Sequence, residues 1–307
     1  MDFPTENSQV TPTYPQPMRK RRALLYVMWL VLFVAGVVGV CAVIAYQNVP
    51  SIANINDCFT TSMFQVELCP KSADYVRYNE LPKHLVSALI ASEDATFFFH
   101  KGFDWDEMRD SLEKSIDAGR WVRGGSTITQ QLAKNLYLSK EKSLIRKLKE
   151  FFIAKQIEEK LTKPQIIEKY FNVVEFAKGV YGIKKGAYHY FQKSPSELSP
   201  AESAYLVSLL PNPVKYSTAF HTKKELSRFN KRRVTSILYL LKLQDKITQK
   251  EYDDEVAHAE IGLWTPYTPE VMFTSDSTGS PPDVTPPTDS SSDEDSGEAP
   301  ALDEDAE

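Results

Sequence analysis

Two adjacent carboxylates, Glu93 and Asp94, run directly into Phe97, Phe98 and Phe99, with His100 and Gly102 close behind. A carboxylate beside apolar surface has its charged form disfavoured, so its pKa rises and it can exchange protons near neutrality. The plain reading of the same residues is a helix that ends in solvent, followed by a loop histidine and a turn glycine. A second group begins at Arg123, where Gly124 and Gly125 free the backbone before Ser126, Thr127 and Thr129. The N–H groups of such a helix start can receive an anion, and Lys134, about two turns on, can supply a cation to a phosphate. A third group is cationic: Lys142, Arg146, Lys147, Lys149 and Lys155 surround Glu150. A basic helix is usually a solvated face with i,i+4 pairs. Next to a membrane it also suits anionic lipid headgroups or a lipid pyrophosphate.

The elements that must hold these groups are mostly helical. Leu85, Leu89 and Ile90 share one side of a segment ending near Glu93, and Asp104 is placed to cap a helix carrying Trp105, Met108, Leu112 and Ile116, with Gly119 as its stop. A longer amphipathic stretch runs from Leu144 through Leu148, Phe151 and Phe152 towards Leu161. Thr162, Ser199 and Thr248 are each followed three residues later by Gln or Glu, the capping-box pattern. Strand-like alternation is weak, confined to residues 63–68 and 75–78.

Upstream, Arg19, Lys20, Arg21 and Arg22 precede an uncharged run from Ala23 to Tyr46. As a helix that run is about 36 Å long, sufficient to cross a bilayer with some tilt. It exceeds the core of about 7–15 residues usual in a cleaved signal peptide, so an uncleaved single-span anchor is expected. The basic cluster places the N-terminus in the cytoplasm and the rest outside. Cys58 and Cys69, beyond the anchor, fit either a local disulfide or two free thiols, while Cys41 is an apolar filler within it.

The 307 residues include 42% hydrophobic and 25% charged, the balance of a folding chain. With 12 Gly, 3 Cys and one long apolar run, collagen, disulfide-rich miniproteins and polytopic membrane proteins are excluded. The net charge of −5 divides into −11 on residues 274–307 and +6 on the rest. That acidic, aromatic-free tail is expected to be disordered. The expected organisation is a cytoplasmic stub over 1–22, an anchor over 23–46, a catalytic domain over 47–260 and a proline-containing linker with the tail over 261–307.

Taken in order, the segments resemble the glycosyltransferase domain of bacterial peptidoglycan polymerases, specifically the monofunctional biosynthetic transglycosylases. The first family pattern is met by Glu93, Asp94, Phe97, His100 and Gly102. The second is met by Gly124, Ser126, Ile128, Thr129, Gln131, Lys134 and Asn135, and the third by Arg146, Lys147 and Glu150. Lys163, Ile166, Ile167, Tyr170 and Asn172 meet the fourth, and Lys178 to Ile183 with Ala187, Tyr190 and Phe191 the fifth. Pro211-Asn212-Pro213 with Tyr216-Ser217 looks like the closing signature, so the motifs span 92–217. Ala177 stands where the family commonly has glycine, Gly186 where alanine is usual, and Lys142 where arginine is frequent. Of the penicillin-binding transpeptidase patterns only Ser139-Lys140-Glu141-Lys142 matches, inside this region, so no transpeptidase domain is expected.

The resemblance implies a mostly α, lysozyme-like glycosyltransferase domain on a single N-terminal transmembrane helix, in the cytoplasmic (inner) membrane with the domain outside. The implied reaction joins lipid II to a lipid-linked glycan chain and releases undecaprenyl pyrophosphate. Glu93 is carried over as general base. Glu150 is carried over as the second carboxylate, acting directly or through a divalent metal such as magnesium or manganese; no organic cofactor is implied. Lys134, Arg146 and Lys142 are candidates for pyrophosphate contacts, and Ser126, Gln130 and Gln131 for shaping the same groove. Implied partners are the two lipid-linked substrates, the membrane and cell-wall synthesis complexes, with no nucleic acid. Two other readings remain: a lysozyme-like lytic enzyme, which needs no cationic cradle, and a silent cell-wall scaffold, against which both glutamates speak.

Overall fold

The computed structural model describes residues 18–119, 125–141, 143–223 and 226–263. The expected tail lies outside them. The chain divides into one unit over Met1–Tyr267 and a second over Thr268–Glu307, and every described residue belongs to the first.

Helix α1 (Met18–Gln47) carries the apolar run. Its stretch Leu24–Gln47 has a mean hydropathy of 2.8 and is apolar on every side, as a membrane span is. Among the described residues its C-terminal end meets protein: Ala45 is buried, and the Tyr46 ring lies 5.4 Å from that of Phe152.

Beyond it, β1 (Phe59–Thr60) and β2 (Glu67–Leu68) form an antiparallel pair with Phe59 opposite Leu68. Cys58 and Cys69 flank that pair and are joined in a disulfide. The Phe59 ring stacks on Tyr137, and Ser62 N–H donates to the Leu136 carbonyl at 2.8 Å, so the hairpin is fastened to the core. The strand expected over 63–68 therefore shrinks to its last two paired residues. The one expected over 75–78 does not form, because the side-chain amide of Asn172 takes both backbone groups of Val76, at 2.9 and 2.8 Å, in place of a neighbouring strand.

The helices come next: α2 (Lys83–Glu93), α3 (Trp105–Asp117), α4 (Ile128–Tyr137), α5 (Leu144–Lys160) and α6 (Lys163–Val173). A short antiparallel pair, β3 (Glu175–Ala177) and β4 (Val180–Tyr181), interrupts them before α7 (Ile183–Phe191). Then come α8 (Pro200–Leu209), α9 (Pro213–Tyr216), α10 (Thr218–Lys223), α11 (Arg228–Leu243) and α12 (Gln249–Ile261). The architecture is mostly α, as expected.

Helix α8 lies at the centre, with every residue from Ala201 to Leu209 buried, and α2, α11 and α12 pack around it. A second group joins α4 to α5 and α6, and α1 roots on α5. Glu202 both closes the α8 cap, accepting from Ser199 N–H at 2.8 Å, and pairs with Lys193 at 2.7 Å. Gly186 has a local cause: a Cβ there would lie 2.7 Å from the Phe176 ring. Helix α3 forms where its cap places it, but its apolar stripe is not part of the core. None of its residues is buried, and Trp105, Met108, Leu112 and Ile116 face outward.

Candidate active site

The C-terminal end of α2 meets the starts of α4 and α5, and the two carboxylates arrive from opposite sides of that junction. Asp94 secures it. Its side chain is wholly buried and accepts from Ile128 N–H at 2.9 Å, in the first turn of α4, where the helix dipole favours negative charge. The same carboxylate meets His100 Nε2 at 2.8 and 3.0 Å. His100 Nδ1 accepts from Gly102 N–H at 3.1 Å, so the ring proton on Nε2 faces Asp94. Gly102 turns at φ +89°, where a Cβ would press on Glu158 Cγ at 3.2 Å, and its carbonyl accepts from Thr127 Oγ1 at 2.8 Å. The first two motifs are thus stitched into one corner around buried Phe97.

Glu93, the last residue of α2, faces the junction with 12% of its side chain exposed. Burial pushes its carboxyl pKa up. A hydrogen bond from Gln131 and the charges of Arg233 and Lys134 pull the other way, and Asp94 adds to the rise. Gln131 Nε2 donates to Glu93 at 3.2 Å, and Tyr170 Oη, wholly buried, donates to Gln131 Oε1 at 2.9 Å. Tyr170 therefore fixes which end of the amide faces the carboxylate. Arg233 Nη2 stands 3.8 Å from Glu93. The result is a desolvated carboxylate oriented by donors, suited to take a proton from a hydroxyl.

Across the junction Glu150 is 3% exposed and accepts from Arg146 Nη1 at 3.1 Å and from Lys147 Nζ. Lys147 also donates to Ser126 Oγ at 3.0 Å. Lys134 is half-buried, and its pKa is lowered: burial is the main cause, Glu150 opposes it, Arg146 and Lys147 add to the fall, and Glu93 opposes it more weakly. It therefore lies within electrostatic reach of both carboxylates. Arg146 Nε and Arg233 Nε are buried and have no hydrogen-bond partner among the described residues. Cations with donors to spare are what an anionic leaving group requires.

The junction brings together Glu93, Gln131, Lys134, Arg146, Lys147, Glu150 and Ser126. Gln130 is a correction. It is 4% exposed, and its amide oxygen accepts from Thr127 N–H at 3.0 Å, so it closes the cap of α4 instead of shaping a groove. Thr129 is buried and donates to Glu158 at 2.5 Å, which Lys163 meets at 2.7 Å. Asn135 is buried within α4, and Asn172 holds Val76. Gly124 and Lys142 lie outside the described residues. The sequence alone does not mark Arg233, since the basic run Lys231-Arg232-Arg233 on an amphipathic helix carries no signal of what it faces.

Both Glu150 oxygens face cations, and no group of three or more His, Cys, Asp or Glu suited to a metal occurs among the described residues. This donor set does not fit a protein-held divalent ion.

A family model described as Transglycosylase matches residues 61–240. A biosynthetic peptidoglycan transglycosylase of Aromatoleum aromaticum is 48% identical over 147 residues, which is 48% of this chain and 64% of that protein. One from Cupriavidus metallidurans is 42% identical over 198 residues, 60% of this chain and 84% of that protein. One from Azoarcus sp. is 47% identical over 146 residues, 48% of this chain and 63% of that protein. The matched stretch thus spans just under two thirds of the first and third relatives and more than four fifths of the second.

Proposed function

We propose, because this chain belongs to the transglycosylase family, that it polymerises lipid II into glycan strands for the bacterial cell wall. The 4-hydroxyl of an acceptor lipid II attacks the anomeric carbon of the lipid-linked growing chain. A new glycosidic C–O bond forms, the bond from the anomeric carbon to the pyrophosphate oxygen breaks, and undecaprenyl pyrophosphate leaves with its electron pair. Glu93 takes the hydroxyl proton. Its raised pKa and its fixed contact with Gln131 support that role. Lys134, Arg146 and Lys147 neutralise the charge that develops on the departing pyrophosphate. Glu150, bonded to two of those cations, holds them in place.

What carries this reading is the cationic cradle itself: buried Glu150 holds Arg146 and Lys147, and Lys147 reaches Ser126 at the turn before α4, whose exposed side Lys134 shares. Cleavage of glycan by water releases a sugar hydroxyl and gives such a cradle nothing to hold, so the lytic alternative is not favoured. Membrane attachment suits lipid-linked substrates. Helix α1 is a candidate anchor, and the outward Trp105, Met108, Leu112 and Ile116 of α3 offer an apolar face to lipid. The Arg19–Arg22 cluster argues for a cytoplasmic N-terminus, and the Cys58–Cys69 disulfide for a domain in an oxidising compartment outside. The test is to incubate the purified full chain in detergent with lipid II. Long glycan and free undecaprenyl pyrophosphate are expected; shortening of preformed glycan without polymerisation would overturn the assignment.

A further inference from the structure

We propose that the groove beside α7 is a second glycan site, which holds the carboxylate-bearing strand after it leaves the catalytic junction. The proposal rests on the polymerase reading and concerns residues that reading does not use. Helix α7 buries Ile183, Gly186, Ala187 and Tyr190, and turns Lys184, Lys185 and Tyr188 outward. That outer face, with Gly179, Val180 and Lys193, lines a cavity of about 740 Å³, within the range of small-ligand sites.

Its chemistry is specific in two respects. Tyr188 is 62% exposed, an aromatic face of the kind against which the apolar face of a sugar ring stacks. The lysines differ in how they are engaged. Lys184 meets Asp74 at 3.3 Å and the Ala73 carbonyl at 2.6 Å, and Lys193 meets Glu202 at 2.7 Å. Lys185 has no acidic partner among the described residues, and neither has Lys178 just outside the cavity. The groove therefore pairs an exposed ring with surplus positive charge. A strand of amino sugars whose peptide stems end in carboxylates complements both: sugar on Tyr188, carboxylate on Lys185. Holding the strand there keeps it near the enzyme between additions, which lengthens the product without altering the chemical step.

The test uses the full chain in detergent carrying Glu93→Gln, so that binding is read apart from turnover. The probe is a soluble, lipid-free peptidoglycan fragment with its peptides, compared with the same fragment after the peptides are removed. The intact fragment is expected to bind, and Tyr188→Ala to weaken it by roughly tenfold or more. Lys185→Glu should weaken the intact fragment strongly and the peptide-free fragment little. In the otherwise unaltered enzyme, Tyr188→Ala should shorten the strands at an unchanged initial rate of lipid II consumption. Absence of fragment binding by the parent, or binding of the intact fragment by both variants as tight as the parent's, overturns the proposal. So does loss of binding to anionic vesicles in the variants while fragment binding persists, which makes the groove a lipid surface. Failure of the parental chain to consume lipid II would instead defeat the polymerase reading.

Discussion

Replacing Asp94 by asparagine keeps the shape of the side chain and removes its charge. Two buried donors, Ile128 N–H and His100 Nε2–H, converge on the native carboxylate. Asparagine has one oxygen to offer them and an NH2 group that repels the other. Moving the ring proton to Nδ1 relieves that clash but turns Nδ1–H against Gly102 N–H, which now donates to it. One buried donor is stranded either way, at about 1–3 kcal/mol. Loss of negative charge at the start of α4 adds about 0.3–1 kcal/mol. The total is about 1.3–4 kcal/mol, since the two losses act on different contacts. At about 2–4 °C per kcal/mol for a domain of this size, the melting temperature should fall by about 3–16 °C. Thermal unfolding of the full chain in detergent reads this directly. A double-mutant cycle with His100→Ala should show a coupling of about 1 kcal/mol or more, because both changes remove the same bond. A melting temperature within about 1 °C of the parent, or strict additivity with His100→Ala, would refute the idea that Asp94 stitches this corner.

Three further outcomes are expected from other parts of the molecule. Glu93 serves as base only when ionised, so activity rises with pH through its raised pKa; Arg233 lowers that pKa, and Arg233→Gln should move the acid limb of kcat/KM to higher pH. A limb that stays in place or moves down contradicts the Arg233 contact. Exchanging Leu112 and Ile116 for serine, both on the outward face of α3, should weaken binding to lipid vesicles while shifting stability by no more than about 0.5 kcal/mol per site; a large loss of stability would mean the face packs on protein. The Cys58–Cys69 bridge spans 11 positions, and serine at both sites should lower stability by up to roughly 3 kcal/mol, seen as a lower melting temperature that reductant no longer changes.

Helix starts were legible in the sequence because caps are local. Gln165 and Glu251 reach back to the N–H groups of Thr162 and Thr248 at 2.8 and 2.7 Å, and Thr248 Oγ1 accepts from Glu251 N–H at 3.2 Å. The carboxylates and cations of the junction could be named for the same reason, since each lies in a short ordered pattern. What could not be read depends on contacts between distant segments. Asn172 replaces a strand partner for Val76, which no alternation in residues 75–78 could announce. The β3–β4 pair is too short for alternation to show. Gln130 and Gln131 are neighbours in the pattern but about 100° apart around α4, so one turns inward to the cap and the other towards Glu93. Arg233 reaches Glu93 only because α11 packs across α2. The apolar stripe of α3 had the period of a core helix, and nothing local distinguishes a face that meets protein from one that does not.

In the proposed reaction Glu93 is the base of the transfer. Burial raises its pKa, so the ionised form is disfavoured in the fold, and its contribution to stability is lost as pH rises through that raised value. A neutral glutamine therefore should not lower the melting temperature at neutral pH, and the variant can be tested as a folded protein. The measurement is the rate of lipid II consumption by Glu93→Gln beside the parent, both checked for thermal stability. A fall of about 10²–10⁴-fold at unchanged stability is expected, the usual worth of a positioned base. Polymerisation at the parental rate by the folded variant would contradict the mechanism.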